Sequence, residues 1–197
     1  MRDIHPTKVR LTEVTAALID EHGSQGFTVE QLLETSNISK GSLYHHFEDF
    51  HDVIMNAQVL RFVKYVNEDI EALTGALLSV TSREDMFDRL DLISRTSHDD
   101  SRSSRRSNRI EILASSRHSD KMRQALGPAQ ALLTSSIADL TREMQLKGFI
   151  RDDLDPAAVA VFIQAYSLGL VVNDVSSEHI DVENWHAMIS RMVRGLL

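Results

Sequence analysis

The sequence predicts an all-α fold, and three observations support this prediction. Only 3 prolines and 8 glycines interrupt the 197 residues. Apolar residues do not alternate with polar ones over any long stretch, as they would in half-buried strands. They recur instead three and four residues apart, which is the spacing of residues on one face of a helix. We therefore expect helices joined by short loops.

A first helix is expected to end at the glycine-containing stretch 23–26. Thr28 then opens a second helix, because its hydroxyl can accept a hydrogen bond from a free backbone N–H two or three residues on. Gln31 lies three residues after Thr28, which is the spacing of a capping box. These residues predict the start of the second helix.

The second helix is expected to end at Asn37, because asparagine tolerates the left-handed conformation of a tight turn. Ser39 is a suitable cap for a short third helix over 40–47, and Asp49 for a long fourth helix. The remaining chain is predicted to form long helices. Breaks between them are expected at 79–82, 98–104, 115–120, 147–155 and 173–181.

Composition narrows the classes of function. The net charge is −8, which is unusual for a nucleic-acid-binding chain, although the third predicted helix contains Lys40 and no acidic residue. The absence of cysteine excludes disulfides, a thiol nucleophile and cysteine-bound metals. No nucleophile elbow, phosphate loop or HExxH motif occurs. We therefore predict no enzyme activity, no cofactor and no metal.

Two stretches bear on localisation. The start, MRDIHPTKVR, lacks the long apolar core of a signal peptide. The uncharged run 157–173 falls just short of a confident membrane span, so we interpret it as a buried or interface helix. The expectation is a cytoplasmic protein without a membrane partner.

The segment 28–47 has the spacing of a helix-turn-helix. Leu43 and Phe47 are four residues apart in the third helix, so they share one face and can pack on the first two helices. The opposite face is left with side chains that can donate to phosphates or base edges. These side chains are Lys40, Ser42, Tyr44, His45 and His46.

The run GFTVEQLLETSNISKGSLYHHFEDFHDVI resembles the N-terminal DNA-binding domain of the TetR/AcrR-like family of bacterial transcriptional regulators. The positions that match the family pattern are Thr28, Val29, Ile38, Ser39, Gly41, Ser42, Leu43, Tyr44, His46 and Phe47. The resemblance implies a set of DNA-contacting residues. These are Thr28, Lys40, Gly41, Ser42, Tyr44, His45 and His46.

The resemblance also implies the domain organisation. An N-terminal three-helix helix-turn-helix DNA-binding domain would occupy 1–48, and a larger helical domain for effector binding and dimerisation would occupy 49–197. The implied function is a ligand-responsive regulator, a repressor in this reading, that binds a pseudo-palindromic duplex operator as a homodimer. An unidentified small-molecule effector would release it.

Weaker similarity near the C-terminus implies a homodimer interface made by the last two long helices. A broad apolar stripe there would be difficult for a monomer to cover. The predicted interface consists of Val159, Phe162, Ile163, Tyr166, Leu170 and Trp185. Apolar residues of the larger domain are candidates for lining an effector cavity. These are Phe62, Tyr65, Phe87, Leu90, Met122, Leu126, Phe162 and Tyr166.

Two positions depart from the family pattern. Phe50 stands where the family often has a lysine that meets a phosphate, and Asn37 replaces the usual glycine of the turn. The loss of a cation next to Glu48 and Asp49 predicts weaker nonspecific binding and a smaller salt dependence. It also supports an alternative function, in which the chain is a helical dimerising protein-interaction module that has lost specific DNA binding.

Two polar clusters have more than one interpretation. The arginines at 102, 105, 106 and 109 have helical spacing and could form a solvated face, an anion pocket for an acidic effector, or extra phosphate contacts. His98 with Asp99 and Asp100 is the most metal-like group, but we favour a solvated loop there. His45 and His46 are adjacent on a helix and point about 100° apart, which does not suit chelation.

Overall fold

The computed structural model describes residues 5–197, except for the side chain of Asp100. The first four residues of the predicted N-terminal segment lie outside this description. Within the described residues the regular structure is helical and no β-strand occurs, so the all-α prediction is confirmed. The helices, in chain order, are α1 (Pro6–His22), α2 (Val29–Ser36), α3 (Lys40–His46), α4 (Phe50–Leu77), α5 (Arg83–His98), α6 (Ser103–Ser115), α7 (Asp120–Leu146), α8 (Pro156–Gly169), α9 (Val171–Asp174) and α10 (Val182–Leu196).

The predicted helix boundaries agree with these bounds to within one or two residues. Thr28 and Gln31 form the predicted capping box, with the Thr28 hydroxyl accepting from the Gln31 backbone N–H at 3.3 Å. The Ser39 hydroxyl accepts from the Ser42 N–H at 3.2 Å. The Asp49 carboxylate accepts from the Asp52 N–H at 2.7 Å and so caps α4. Local capping chemistry therefore sets where α2, α3 and α4 begin.

The described chain forms two compact units, and the division between them falls within α4 and α7. The first unit extends to Tyr65 and includes Ser116–Leu126, and the second comprises Val66–Ser115 and Gly127–Leu197. Apolar residues from α1, α2, α3 and α4 form the core of the first unit. They include Leu11, Val14, Ile19, Phe27, Leu32, Leu43, Phe47, Val53 and Ala57.

His98 is buried in the second unit, so the solvated-loop interpretation of this residue was wrong. Its Nδ1 accepts a hydrogen bond from the indole N–H of Trp185 at 3.2 Å, which links α5 to α10. Burial, and then the positive charges of His186 and Arg106, lower the pKa of His98 to about 4. The ring is therefore neutral near pH 7, as an Nδ1 acceptor requires.

The segment Pro156–Asp174 has a mean hydropathy of 1.5 and is long and apolar enough to cross a membrane by length and composition. A core helix of a soluble protein passes the same test. In the structure this segment is divided between α8 and α9, which meet at Leu170.

The turn between α2 and α3 depends on Asn37, which adopts a left-handed conformation with φ 55°. The N–H of the next residue, Ile38, donates to the Leu33 carbonyl at 3.3 Å, as at many helix C-termini. We expect Asn37→Ala to lower the free energy of unfolding by about 1 kcal/mol, because a Cβ-bearing residue without the asparagine amide is disfavoured there. Asn37→Gly, the matched control, should change it by less than about 0.5 kcal/mol, since glycine adopts positive φ freely. Urea unfolding measures both values, and equal losses would contradict this explanation.

Candidate functional site

Helix α3 has one buried and one exposed face. Leu43 is fully buried and Phe47, at the C-terminal cap, is 3% exposed, so both anchor the helix in the core of the first unit. Tyr44 is 45% exposed, and Lys40 and His45 are also exposed. The predicted division of this helix into a buried apolar face and an exposed polar face is therefore confirmed. The buried side chains fix its orientation and leave the polar ones available to a partner.

The candidate DNA-contacting residues all belong to the first unit and lie on α3 or at the start of α2. Ser42 and His46 are half-buried, and Thr28 and Gly41 are exposed. No neighbouring atom lies within 4 Å of the position that a Cβ on Gly41 would occupy, so the helix surface is open there. A duplex could approach the backbone closely at this point.

The start of α4 is packed against the core through Phe50 and receives a cation from another helix. Phe50 packs against the core of the first unit, with its ring centroid 5.6 Å from that of Phe27 in an edge-to-face arrangement. A cation reaches this region from α7, because Lys121 Nζ lies 3.0 Å from Asp52 and 3.4 Å from Glu48. Burial raises the pKa of Asp52, but hydrogen bonds from Lys121 and the Glu48 N–H outweigh it and hold this pKa below its ordinary value. Sequence reasoning missed Lys121 because about seventy residues separate it from its partners.

The second unit contains a cavity of about 610 Å³. Apolar side chains from several helices form much of its wall. They include Leu73, Leu90, Leu133, Ile137, Phe162, Ile163, Ile189, Val193 and Leu197. Charged side chains of α4 and α6 also line it. This volume suits a small organic molecule with both apolar and polar parts.

The charged wall of the cavity consists of arginines held by carboxylates. Arg105 donates to Glu68 and to Asp69, the latter at 2.8 Å, and Arg109 also donates to Asp69. Arg106 is 4% exposed and forms two hydrogen bonds with Asp174, at 2.7 and 3.0 Å. The solvated-face interpretation was therefore wrong for these three arginines. Among the four, only Arg102 is exposed.

The structure brings together three of the eight candidate effector-binding residues. Leu90, Phe162 and Tyr166 line the cavity. Four others belong to the first unit and lie outside the cavity; they are Phe62, Tyr65, Met122 and Leu126. Phe87 is in the second unit, where Arg83 and Arg194 lie over its ring at 5.3 and 5.0 Å. Apolar periodicity marked these residues as interior but could not indicate which of them face a void.

Several candidate interface residues are buried or hydrogen-bonded within the single chain. Val159 and Leu170 are 5% and 4% exposed, so their side chains are not available to a partner. Trp185 is half-buried and hydrogen-bonded to His98. Phe162, Ile163 and Tyr166 are half-buried around the cavity. Other large apolar residues of α8, α9 and α10 are exposed instead; they are Val161, Val172, Met188, Met192 and Leu196.

No group of three or more histidine or acidic residues among the described side chains has the arrangement of a metal site. The Asp100 member of the metal-like cluster lies outside the described side chains. The other two members, His98 and Asp99, do not face a common ligand position: His98 bonds to Trp185, and Asp99 accepts from the backbone and hydroxyl of Ser101.

Comparison with known proteins identifies the class to which this fold and site belong. Residues 11–49 match the family described as "Bacterial regulatory proteins, tetR family", and residues 88–197 match "BetI-type transcriptional repressor, C-terminal". The chain belongs to the TetR family and is a transcriptional regulator with a DNA-binding helix-turn-helix.

Individual relatives agree with this assignment along the whole chain. The "HTH-type transcriptional regulator UidR" of Escherichia coli K12 is 24% identical over 99% of this chain and 95% of its own length. Among solved structures, Salmonella enterica GusR matches with a TM-score of 0.65 and 22% identity, over 98% of this chain and 95% of its own. The reduced form of E. coli NemR matches with a TM-score of 0.64 and 19% identity, over 95% and 96%. At these identities the structural matches show the fold alone.

Proposed function

We propose that the protein is a ligand-responsive transcriptional repressor of the cytoplasm that binds a pseudo-palindromic operator as a homodimer. The observation that supports DNA recognition is the two-faced α3, with Leu43 buried and Lys40, Tyr44 and His45 exposed. A helix held in this way can enter a major groove with its N-terminal half. The DNA-contacting residues are Thr28, Lys40, Gly41, Ser42, Tyr44, His45 and His46, within a DNA-binding domain at 1–48.

The test is selection of bound duplexes from a random pool by the purified full-length protein at about 100 mM salt. Enrichment of a palindrome whose half-sites are one helical turn apart, about 34–36 Å, is expected for a dimer of this kind. Sequence-independent binding, or none, would favour the alternative of a helical dimerising module that acts through protein contacts. The acidic neighbours of Phe50 are the observation that favours that second function.

The effector site in this proposal is the cavity of the second unit. Its apolar wall would cover the body of the ligand, and the guanidinium groups of Arg105 and Arg109 would bind an acidic group in exchange for Asp69 or Glu68. Leu90, Phe162 and Tyr166 would contact the ligand directly. The experiment is a thermal-shift screen of small amphipathic carboxylates, followed by release of the selected duplex.

Regulation would couple the cavity to the recognition helix, α3, of each protomer. The coupling would pass through α4 and α7, because α4 and α7 each contribute residues to both compact units. The dimer would have one state whose two recognition helices are spaced to fit successive major grooves and another whose helices are not. An effector that prefers the second state lowers DNA affinity, and the size of the effect is set by the difference in its affinity for the two states. An effector with equal affinity for both states would have no effect on DNA binding.

The dimer interface in this proposal uses the exposed apolar faces of α8 and α10. Val161 is 57% exposed on α8, and Met188 and Met192 are exposed one turn apart on α10. We expect Val161→Arg to raise the dimer dissociation constant about a hundredfold or more, because an unpaired charge would be buried. Leu78→Arg is the control, since Leu78 is also 57% exposed but lies beyond the end of α4. Sedimentation equilibrium measures both, and an unchanged dimer in Val161→Arg would place the interface elsewhere.

A further inference from the structure

Three imidazole rings and a lysine lie together where α1 begins and α3 ends. The ring centroid of His5 is 4.6 Å from that of His46, with 33° between the planes. The His46 ring lies 5.0 Å from His45 in an edge-to-face arrangement. Lys8 places its ammonium 5.1 Å above the ring of Phe47, the residue that follows His46. His5 and Lys8 have no role in the DNA contacts assigned above.

The charges that lower the pKa of His46 are all basic. They belong to His5, the N-terminal cap of α1, to Lys8 in the first turn of α1, and to His45, the neighbour of His46 in α3. Two nearby carboxylates, Glu48 just before α4 and Asp52 in its first turn, are paired with Lys121, and Lys8 also attracts Asp52. Partial burial lowers the pKa of His46, and the positive charges of His5, His45 and Lys8 lower it further. Protonation of His46 is therefore disfavoured in the free protein. The cluster nevertheless contains ring N–H groups and an ammonium group that can donate hydrogen bonds to an anion.

The His5 ring has a defined orientation. Its Nδ1 accepts a hydrogen bond from the Thr7 backbone N–H at 3.2 Å, so this nitrogen carries no proton in that arrangement. The proton of the neutral ring is consequently on Nε2, which can donate to an external acceptor. His46 and His45 likewise carry ring N–H groups, and both belong to the proposed DNA-contacting set.

We propose that His5, His45 and His46, together with Lys8, form one site for duplex phosphates that takes up protons when DNA binds. A phosphate beside His46 stabilises the protonated form of its ring and replaces repulsion between like charges with attraction. This inference rests on the proposed DNA binding. It adds two contact residues, and it makes affinity depend on pH.

The sign of the effect follows from linkage between proton and DNA binding. The pKa of His46 is low in the free protein and rises in the complex, so the complex binds more protons than its components between the two values. Affinity therefore increases as pH falls through that interval, by up to tenfold per pH unit for each proton taken up. Above the interval His46 is neutral in both states, and affinity is independent of its protonation.

The experiment measures fluorescence anisotropy of a dye-labelled duplex with the full-length protein at constant ionic strength. The probe is the duplex recovered by selection, with a random-sequence duplex of equal length beside it, since phosphate contacts do not depend on sequence. We expect Kd to fall about tenfold between about pH 7.5 and about pH 6, as for the uptake of one proton. His5→Gln should reduce this pH dependence by at least half. His22→Gln is the control, because His22 is exposed at the other end of α1 and pairs with Glu21.

Imidazole C2–H shifts in NMR spectra provide a second measurement. The pKa of His46 should rise when duplex is added, and it should rise in free His5→Gln because one repelling charge is removed. Duplex binding with a flat pH profile, or an equal profile in His5→Gln, would overturn this inference while leaving DNA binding intact. Absence of duplex binding at every pH would overturn both proposals.

Discussion

Replacing Arg106 with methionine is expected to lower the free energy of unfolding by about 3–5 kcal/mol, the usual cost of breaking a buried ion pair from one side. Arg106 contacts Asp174 through Nε and Nη2, and its Nη1 donates to the carbonyls of Ser97 and Asp99, both about 3 Å away. The side chains of Arg106 and Asp174 are 4% and 12% exposed, so water cannot replace the lost bonds. Urea unfolding of the purified variant measures the loss.

The matched control is Arg102→Met, one turn earlier and exposed, which should change stability by less than about 0.5 kcal/mol. A double variant, Arg106→Met with Asp174→Leu, removes the stranded carboxylate and should recover much of the loss. Equal stability of the two single methionine variants would contradict the view that Arg106 is a structural residue. Arg106 would then be available to bind an acidic effector, which is one of the roles that the sequence alone allows.

The organisation of the first unit was largely predictable because its determinants are local. The Thr28 capping box, the Ser39 cap and the left-handed Asn37 each depend on residues within three or four positions. The four-residue spacing of Leu43 and Phe47 likewise defines the buried side of α3 without knowledge of what it packs against. For such features, sequence spacing and spatial proximity are nearly equivalent.

The organisation of the second unit was less predictable because it depends on contacts between residues that are far apart in the sequence. Arg106 meets Asp174, sixty-eight residues away, and Trp185 meets His98, eighty-seven residues away. The helical spacing of the arginines at 102, 105, 106 and 109 was visible in the sequence. That spacing alone is equally compatible with a solvated face, a ligand site or DNA contacts, and the distant carboxylate partners decide between them. The apolar α8 illustrates the same limit, since a helix that is apolar on most sides does not reveal which side its own chain covers.

Phe50 shows that a departure from a family pattern can also have a structural role. Its position suggested a missing phosphate contact, yet the ring completes the core beside Phe27, while Lys121 supplies a cation to Asp52 from another helix. The charge at the start of α4 is thus partly neutralised by a residue that no local motif contains. A smaller salt dependence of DNA binding is still expected, because Lys121 is engaged by two carboxylates.

The combined substitution Lys40→Ala and Tyr44→Ala is expected to weaken binding to the selected duplex about a hundredfold. Each side chain is exposed on α3, and loss of one direct contact typically costs about 1–3 kcal/mol. Lys40→Ala alone should also reduce the slope of log K against log salt by about 0.9 if it neutralises one phosphate. Anisotropy titrations over a series of salt concentrations measure both quantities.

Three comparisons make this result specific to the recognition helix. Tyr44→Phe retains the ring and removes the hydroxyl, so it separates a hydrogen bond from stacking or apolar contact. Lys64→Ala removes an exposed lysine fourteen residues farther along α4 than Phe50, about 21 Å by helix rise, and should leave affinity nearly unchanged. Leu43 and Phe47 are untouched, so the unfolding free energy of the double variant should remain within about 0.5 kcal/mol of the parent protein. An unchanged affinity with the fold retained would mean that α3 does not read DNA, and the protein-interaction alternative would then be the better description.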